Sequence, residues 1–144
     1  EQYNESTYNY CIKNNISIIG LADHGNVDKS KKLREYLSSK GILVFPGFEI
    51  STSEKIHIVC LFSENTEEQE LERYLGELGL SNPEDGNSPS TMSFHDITQR
   101  VIDRGGFWYA AHITSDNGVL KGKHNNLWKS DKLVAAQIPS KKMK

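Results

Sequence analysis

The sequence lacks the features that mark several special classes of protein. Its two cysteines, Cys11 and Cys60, form neither a CxxC pair nor a ladder of regular spacings, so the pattern does not favour a thiol-rich zinc site or a disulfide framework. No apolar run is long enough to span a bilayer, and the polar start has no basic end followed by an apolar stretch. We therefore expect a cytoplasmic protein with no membrane partner.

The chain also lacks an excess of positive charge. Its 17 basic and 19 acidic side chains give a net charge of -2, so there is no global field of the kind that drives nonspecific nucleic-acid binding. A nucleic-acid-binding module would need a local patch, either Lys29, Lys31, Lys32 and Arg34 or the region 121–132. Both clusters contain few interleaved aromatic residues and are typical of solvated faces.

The composition itself is ordinary for one globular domain. The 144 residues are 36% hydrophobic and 25% charged, which is enough to bury a core. No internal repeat or low-complexity segment divides them. We interpret residues 1–144 as a single domain, and we expect this domain to be a fragment of a larger protein.

Short apolar runs alternate with segments of helical periodicity. The first run, ISIIGLA, is typical of a buried parallel strand, and the polar stretch between two later runs favours an antiparallel hairpin. The predicted strands are 16–22, 42–45 with an extension through 48–50, 56–62, 107–112 and, in a less legible tail, 133–138. The predicted helices are 28–40, with Asn26 or Asp28 as its cap, a second from a capping box of Thr66 and Gln69 to Gly79, and a third from Ser93 to Gly105.

This alternation predicts an α/β fold. In such folds, ligands gather at the carboxyl ends of the strands. His24 follows the first strand, Glu49 follows the second, and His112 ends the FWYAAH strand. Imidazole nitrogen and carboxylate oxygen are the donors that hydrolytic divalent metals prefer, so these three residues are candidate metal ligands.

His57 is a fourth candidate, although it lies near the start of its strand. A hairpin turn centred on Ser53 would place Glu49 and His57 opposite each other. A turn centred on Glu54 would make them diagonal neighbours on one face, within roughly 7–8 Å. Either register lets both side chains reach one metal cluster.

Asp23 is adjacent to His24, and neighbouring strand residues point to opposite faces. We therefore expect Asp23 to support the site, by orienting an imidazole or by capping the following turn, rather than to bind the same ion. His95 and His124 are predicted to be structural or solvated, and Cys60 is predicted to belong to the core.

Together, four linked segments resemble successive motifs of the polymerase and histidinol phosphatase (PHP) superfamily, in order and in spacing. The resemblance runs from about Ile16 to about Asn117. The segment AHITSDNGVL is also similar to PHP domains of the TrlF type, which precede SMC-like or RecN-like ATPase regions. The four segments are GLADHGN, GILVFPGFEIS, KIHIVCLF and GGFWYAAHI.

The resemblance implies a distorted β/α barrel of PHP type that holds two or three divalent ions, often zinc, manganese or iron. His24 matches the ligand of the DH motif, Glu49 the metal-bridging carboxylate, and His57 and His112 later imidazole ligands. The opening HxH motif and the closing DxH motif of the family are absent from this sequence. We therefore interpret the barrel as incomplete in this chain.

The predicted function is divalent-metal-dependent hydrolysis of phosphate mono- or diesters, of nucleotides or of nucleic-acid ends, with Glu49 and His24 as catalytic residues and Asp23 in support. The alternative is a noncatalytic PHP-like scaffold or regulatory domain of an ATPase- or polymerase-linked protein. The expected partners are a phosphate-ester substrate, such as a nucleotide or a nucleic acid, and a covalently linked or associated ATPase domain.

Overall fold

A computed structural model describes residues 2–80, 88–120, 126–129 and 133–138. Helices and strands alternate over most of this range. The helices are α1 (Gln2–Lys13), α2 (Asp28–Ser39), α3 (Glu68–Glu77) and α4 (Phe94–Asp103), and the strands are β1 (Ile18–His24), β2 (Leu43–Ser51), β3 (His57–Leu61) and β4 (Phe107–Ala110), with a 3-10 turn at Leu127–Lys129.

The four strands form one mixed sheet in the order β1-β2-β3-β4. β1 and β2 are parallel and are joined through α2, whereas β2, β3 and β4 pair antiparallel. The α/β class and the hairpin are therefore confirmed. Over the described residues the sheet is open and not closed on itself, so the PHP-type barrel stays a prediction.

The strands differ from their predicted bounds at the ends that matter for the site. β1 extends through Asp23 to His24 rather than ending at Ala22. β2 runs without a break across Pro46 and Gly47, so the predicted strand 42–45 and its extension through 48–50 form one strand. A Cβ at Gly47 would overlap the carbonyl oxygen of Cys60, so glycine lets β3 pair closely at this point.

The predicted end of α2 and the predicted start of α4 were confirmed. α2 stops at Gly41, which has φ +84°, and α4 begins with Ser93 accepting a hydrogen bond from the Asp96 N–H at 3.2 Å. Two predicted caps were wrong. Val27 occupies the cap position of α2, and α3 starts one residue later than expected, where the Glu67 N–H donates to the Glu70 carboxylate at 3.2 Å.

The helices pack on one face of the sheet, which we call the covered face. It carries alternate strand residues such as Val44, Phe48, Ile58 and Trp108, all of them buried, in two hydrophobic clusters with α1 and α2 and with α3 and α4. The opposite face, the open face, carries the intervening residues of the strands. Ile18, Leu43 and Phe107 are exposed on it. Helix α1 contributes Cys11 to the core and was not predicted, because its sequence is polar.

The tail does not form the predicted strand. Within residues 133–138, Ala136 makes an isolated parallel bridge to Ala110, and the Gln137 N–H donates to the Ala110 carbonyl at 2.8 Å. The tail therefore lies along the free edge of β4. Residues 81–87, between α3 and α4, lie outside the described residues.

No described helix has both the length and the apolar composition needed to cross a membrane.

Candidate metal centre

Three histidines surround one carboxylate oxygen on the open face. Glu49 Oε1 lies 2.8 Å from His57 Nδ1, 3.2 Å from His24 Nε2 and 3.4 Å from His112 Nε2. The rings of His24 and His112 both pack edge-on against that of His57, with centroids 5.9 Å and 5.0 Å away. The fold thus brings together all four candidate ligands from the sequence.

Strand register explains how β1, β2 and β3 place three of these side chains. His24 pairs with Glu49 across the parallel ladder, so both lie on the same face. In the hairpin, Ser51 pairs with His57 and Glu49 pairs with Val59, which centres the turn on Glu54. Glu49 and His57 are therefore diagonal neighbours, the second of the two registers considered.

His112 reaches the cluster in a different way. β4 ends at Ala110, so His112 lies in a turn two residues beyond the strand and not at its end as predicted. Its φ of +24° is uncommon for a residue with a side chain. Backbone strain of this kind persists where surrounding contacts hold the residue, often at functional sites.

Contacts on two sides hold His112 in this turn. The Gln137 side-chain oxygen accepts from its backbone N–H at 2.9 Å, and its Nδ1 lies 2.5 Å from Ser115 Oγ. The turn also requires Gly118, because a Cβ there would lie 2.5 Å from the His112 carbonyl oxygen.

Asp23 supports the main chain at the end of β1. Its carboxylate accepts a hydrogen bond from the His24 N–H at 2.8 Å, and Asp23 forms a bridge with Asn26 across the following turn. The Gly25 N–H in turn donates to the Glu49 carbonyl at 2.8 Å. These contacts tie the turn after His24 to β2, next to Glu49.

The electrostatics of Glu49 reflect its neighbours. Burial alone would raise its pKa, but the hydrogen bond with His57 and the nearby imidazoles of His24, His57 and His112 outweigh that effect and hold the pKa below its ordinary value. Glu49 is therefore ionised over the neutral range. On the same face, burial and then the charge of Glu49 raise the pKa of Tyr109, which keeps its phenol protonated.

The donor set fits a divalent metal ion. His24, Glu49 and His57 offer ligand atoms that all lie within 4.8 Å of one another, and His112 Nε2 approaches the same carboxylate oxygen. Imidazole and carboxylate together suit zinc, manganese or iron. His24 is half exposed, with 50% of its side-chain surface accessible, so the cluster is open to solvent.

Three residues that contact the histidines were not predicted from the sequence: Ser115 and Asn117 contact the rings of His112 and His57, and Gln137 contacts the backbone of His112. Asn117 Nδ2 lies 3.2 Å from His57 Nε2. These polar residues lie in turns or in the tail, where composition alone gives no signal for such a contact. His95 is exposed on α4, outside the cluster, and His124 lies outside the described residues.

Two residues of the first basic cluster, Lys31 and Arg34, have structural contacts. Lys31 pairs with Glu68 at 2.6 Å, and Arg34 donates to the carbonyls of Glu64 and Thr66 at 2.7 Å and 2.8 Å. Both side chains therefore tie α2 to the start of α3. Most of the second basic region, 121–132, lies outside the described residues.

Comparison with models of known protein families finds none that matches this chain. An uncharacterised protein of Streptococcus pneumoniae serotype 4 (strain ATCC BAA-334 / TIGR4) is 28% identical over 123 residues, which is 78% of this chain and 45% of that protein. The chain thus spans less than half the length of this relative.

Among solved structures, the chain is similar to a two-domain protein from Bacteroides vulgatus ATCC 8482 that contains a predicted PHP-like metal-dependent phosphoesterase. The TM-score is 0.45 and the sequence identity 18%, over 83% of this chain and 34% of the other.

Proposed function

We propose that this chain carries part of the active site of a divalent-metal-dependent phosphoesterase. The observation that carries the proposal is the position of Glu49 Oε1, which lies within 3.4 Å of imidazole nitrogens from three separate segments. One partly buried carboxylate among three histidines is costly to assemble without a function, since polar groups lose hydration on burial. The resemblance to PHP motifs, which rests on the same four residues, agrees with it.

His24 Nε2, His57 Nδ1, His112 Nε2 and the Glu49 carboxylate would hold the metal. When bound, a divalent ion would supply a Lewis acid for phosphate oxygens and lower the pKa of a water molecule. Glu49 contributes the negative charge that favours cation binding. Asp23 holds the main chain at His24. Ser115 holds the ring of His112.

We propose zinc, manganese or iron as the metal, and phosphate mono- or diesters of nucleotides or nucleic-acid ends as substrates. The half-exposed position of His24 supports a substrate that approaches from solvent. Two or three ions would need more ligands than these four, since one zinc ion commonly takes about four. We therefore propose that further ligands complete the site, within a PHP-type barrel in the whole protein, and that an ATPase domain accompanies it.

Hydrolysis assays on the intact protein loaded with Zn²⁺, Mn²⁺ or Fe²⁺ test this function. Suitable substrates are p-nitrophenyl phosphate, bis(p-nitrophenyl) phosphate and a short single-stranded oligonucleotide. Glu49→Gln and His57→Ala should each lower kcat/KM by more than about 100-fold, beyond the loss typical of groups that only support a ligand. His95→Ala, a histidine outside the cluster, is the matched control and should leave the rate unchanged. Wild-type rates in Glu49→Gln would contradict the proposal.

The noncatalytic alternative has one observation in its favour, which is that these residues supply ligands for about one ion. A scaffold or regulatory domain predicts no hydrolysis of any of these substrates by the metal-loaded protein. It also predicts that His24→Ala leaves binding to a linked or associated ATPase domain unchanged. Hydrolysis that is lost in Glu49→Gln and retained in His95→Ala would exclude it.

A further inference from the structure

The turn after β4, residues 112–118, contacts two of the imidazoles on the side away from Glu49. Ser115 Oγ lies 2.5 Å from His112 Nδ1 and also donates to the His112 carbonyl at 2.8 Å. Asn117 uses its side chain to contact His57 Nε2 at 3.2 Å, and its carbonyl accepts from the His57 backbone N–H at 2.9 Å. One short turn therefore holds both rings.

The contacts of Ser115 favour one tautomer of His112. A hydroxyl has a single hydrogen, and Ser115 Oγ lies 2.8 Å from the His112 carbonyl, which can only accept a hydrogen bond. The Ser115 oxygen is then left to accept from Nδ1–H, so Nε2 carries a lone pair toward Glu49. Two acceptors, His112 Nε2 and Glu49 Oε1, thus face each other at 3.4 Å. Both lone pairs are then available to a cation.

The contact with Asn117 works differently, because an amide is both a donor and an acceptor. With His57 Nδ1–H donating to Glu49 at 2.8 Å, Nε2 accepts from the Asn117 amide nitrogen. If Nδ1 gives up its hydrogen to act as a ligand, a neutral ring must carry the hydrogen on Nε2. Rotation of the amide then presents its oxygen as the acceptor, so Asn117 can hold the ring in either state.

We propose that Ser115 and Asn117 are positioning residues of the centre: Ser115 selects the tautomer in which His112 presents Nε2, and Asn117 holds the His57 ring so that it presents Nδ1. This inference rests on the proposed metal centre. It gives Ser115 and Asn117, which are not ligands, the role of orienting the imidazoles that bind the metal. Groups that fix the tautomer and the orientation of a ligating histidine typically contribute roughly 10- to 100-fold to metal affinity.

The role of Ser115 is tested in the metal-free intact protein by long-range ¹H–¹⁵N correlation of the histidine rings, which identifies the protonated nitrogen. Wild type should show His112 as the Nδ1–H tautomer. Ser115→Ala should shift it to a mixture of the two tautomers. Thr114→Ala, an exposed neighbour in the same turn, is the control and should match wild type. An unchanged His112 spectrum in Ser115→Ala would overturn the role of Ser115.

The role of Asn117 is tested by the affinity for Zn²⁺ alone, measured by competition with a chromogenic chelator. Asn117→Ala should weaken binding by about 10- to 100-fold relative to Thr114→Ala. Asn117→Asp should restore most of the affinity, because a carboxylate still accepts from His57 Nε2–H. Binding by Asn117→Ala within about twofold of the control, or equal loss in Asn117→Asp and Asn117→Ala, would overturn this role.

The two tests separate this inference from the proposed function. Absence of Zn²⁺, Mn²⁺ and Fe²⁺ binding in the wild type would refute the metal centre and, with it, the role of Asn117. The tautomer of His112 in the metal-free protein would still decide whether Ser115 positions that ring.

Discussion

The covered face and the open face of the sheet are built from alternate residues of the same four strands, yet they serve different ends. Trp108, on the covered face, is 2% exposed and packs edge-on against Phe94, whereas its neighbour Phe107, on the open face, is 43% exposed. The covered face packs against all four helices. The open face carries Glu49 and its histidines. Along each strand, adjacent residues therefore point alternately to the packed core and to the face that carries the candidate metal ligands.

The difference also concerns how polar groups are treated. Cys60 on the covered face is fully buried, and burial strongly raises the pKa of its thiol, so this residue acts as core. On the open face the polar side chains face one another around Glu49, and the turn 112–118 fixes two of them. In the part of the chain that the structure describes, helices cover one side of the sheet only, and this leaves a cluster of charged and polar side chains accessible to solvent on the other.

The largest expected effect tests the covered face. Trp108→Ala should lower the free energy of unfolding by about 3–5 kcal/mol, because it leaves a large cavity among buried side chains. Phe107→Ala, one residue away, should cost less than about 1 kcal/mol. Denaturant unfolding of this chain measures both. Equal losses would show that the open face is packed like the covered one.

Metal addition should stabilise the open face. At a free Zn²⁺ concentration of about 100 times Kd, binding to the folded state alone should raise the free energy of unfolding by about 2.7 kcal/mol. Glu49→Gln should lose this gain, since it removes the charge that three imidazoles surround. Thermal unfolding with and without metal provides the measurement, with His95→Ala as the control. A gain of the same size in Glu49→Gln would argue against a site at Glu49.

Gly118→Ala should disturb the turn that holds His112. The added Cβ would lie 2.5 Å from main-chain atoms of His112 and Ile113, and overpacking of this kind costs about 1–3 kcal/mol. Gly76→Ala in α3 is the control, because its Cβ would meet nothing within 4 Å. We expect lower unfolding free energy and weaker Zn²⁺ binding for Gly118→Ala only. Full Zn²⁺ affinity in Gly118→Ala would show that metal binding does not depend on the turn that holds His112.

The smallest expected effect is a pH dependence in the metal-free protein. The folded-state pKa of Glu49 lies below its ordinary value of 4.5. Its contribution to stability is therefore complete above that value and is lost as the pH falls through the folded-state pKa. The difference in unfolding free energy between wild type and Glu49→Gln should shrink when unfolding is measured from roughly pH 6 down to roughly pH 3. If the difference in unfolding free energy between wild type and Glu49→Gln grew toward low pH, the folded-state pKa of Glu49 would not be lowered.

Sequence patterns predicted the parts of the fold that depend on local chemistry. The apolar runs that form β1 to β4, the glycine after α2 and the Ser93 start of α4 are local signals that were confirmed. The apolar run 133–138 was not confirmed as a strand. The same patterns predicted that His24, Glu49 and His57 lie close together, because strand periodicity and a short hairpin restrict where these side chains can lie.

What could not be predicted depends on contacts distant in sequence. The polar helix α1 forms on the covered face with Cys11 as its buried residue, which its composition did not indicate. His112 was expected at the end of a strand, but Ser115, Gln137 and Gly118 hold it in a turn with positive φ. Ser115 and Asn117 are ordinary turn residues by sequence, and only the folded turn brings them to the imidazoles.

The metal content of the intact protein tests the central claim most directly. Protein purified without chelator and passed through gel filtration should retain at least one Zn, Mn or Fe ion per chain by elemental analysis. Glu49→Gln should lose it, and His95→Ala should keep it. A wild type without transition metal that also takes up none on addition, or a Glu49→Gln variant with the same content as wild type, would contradict the account.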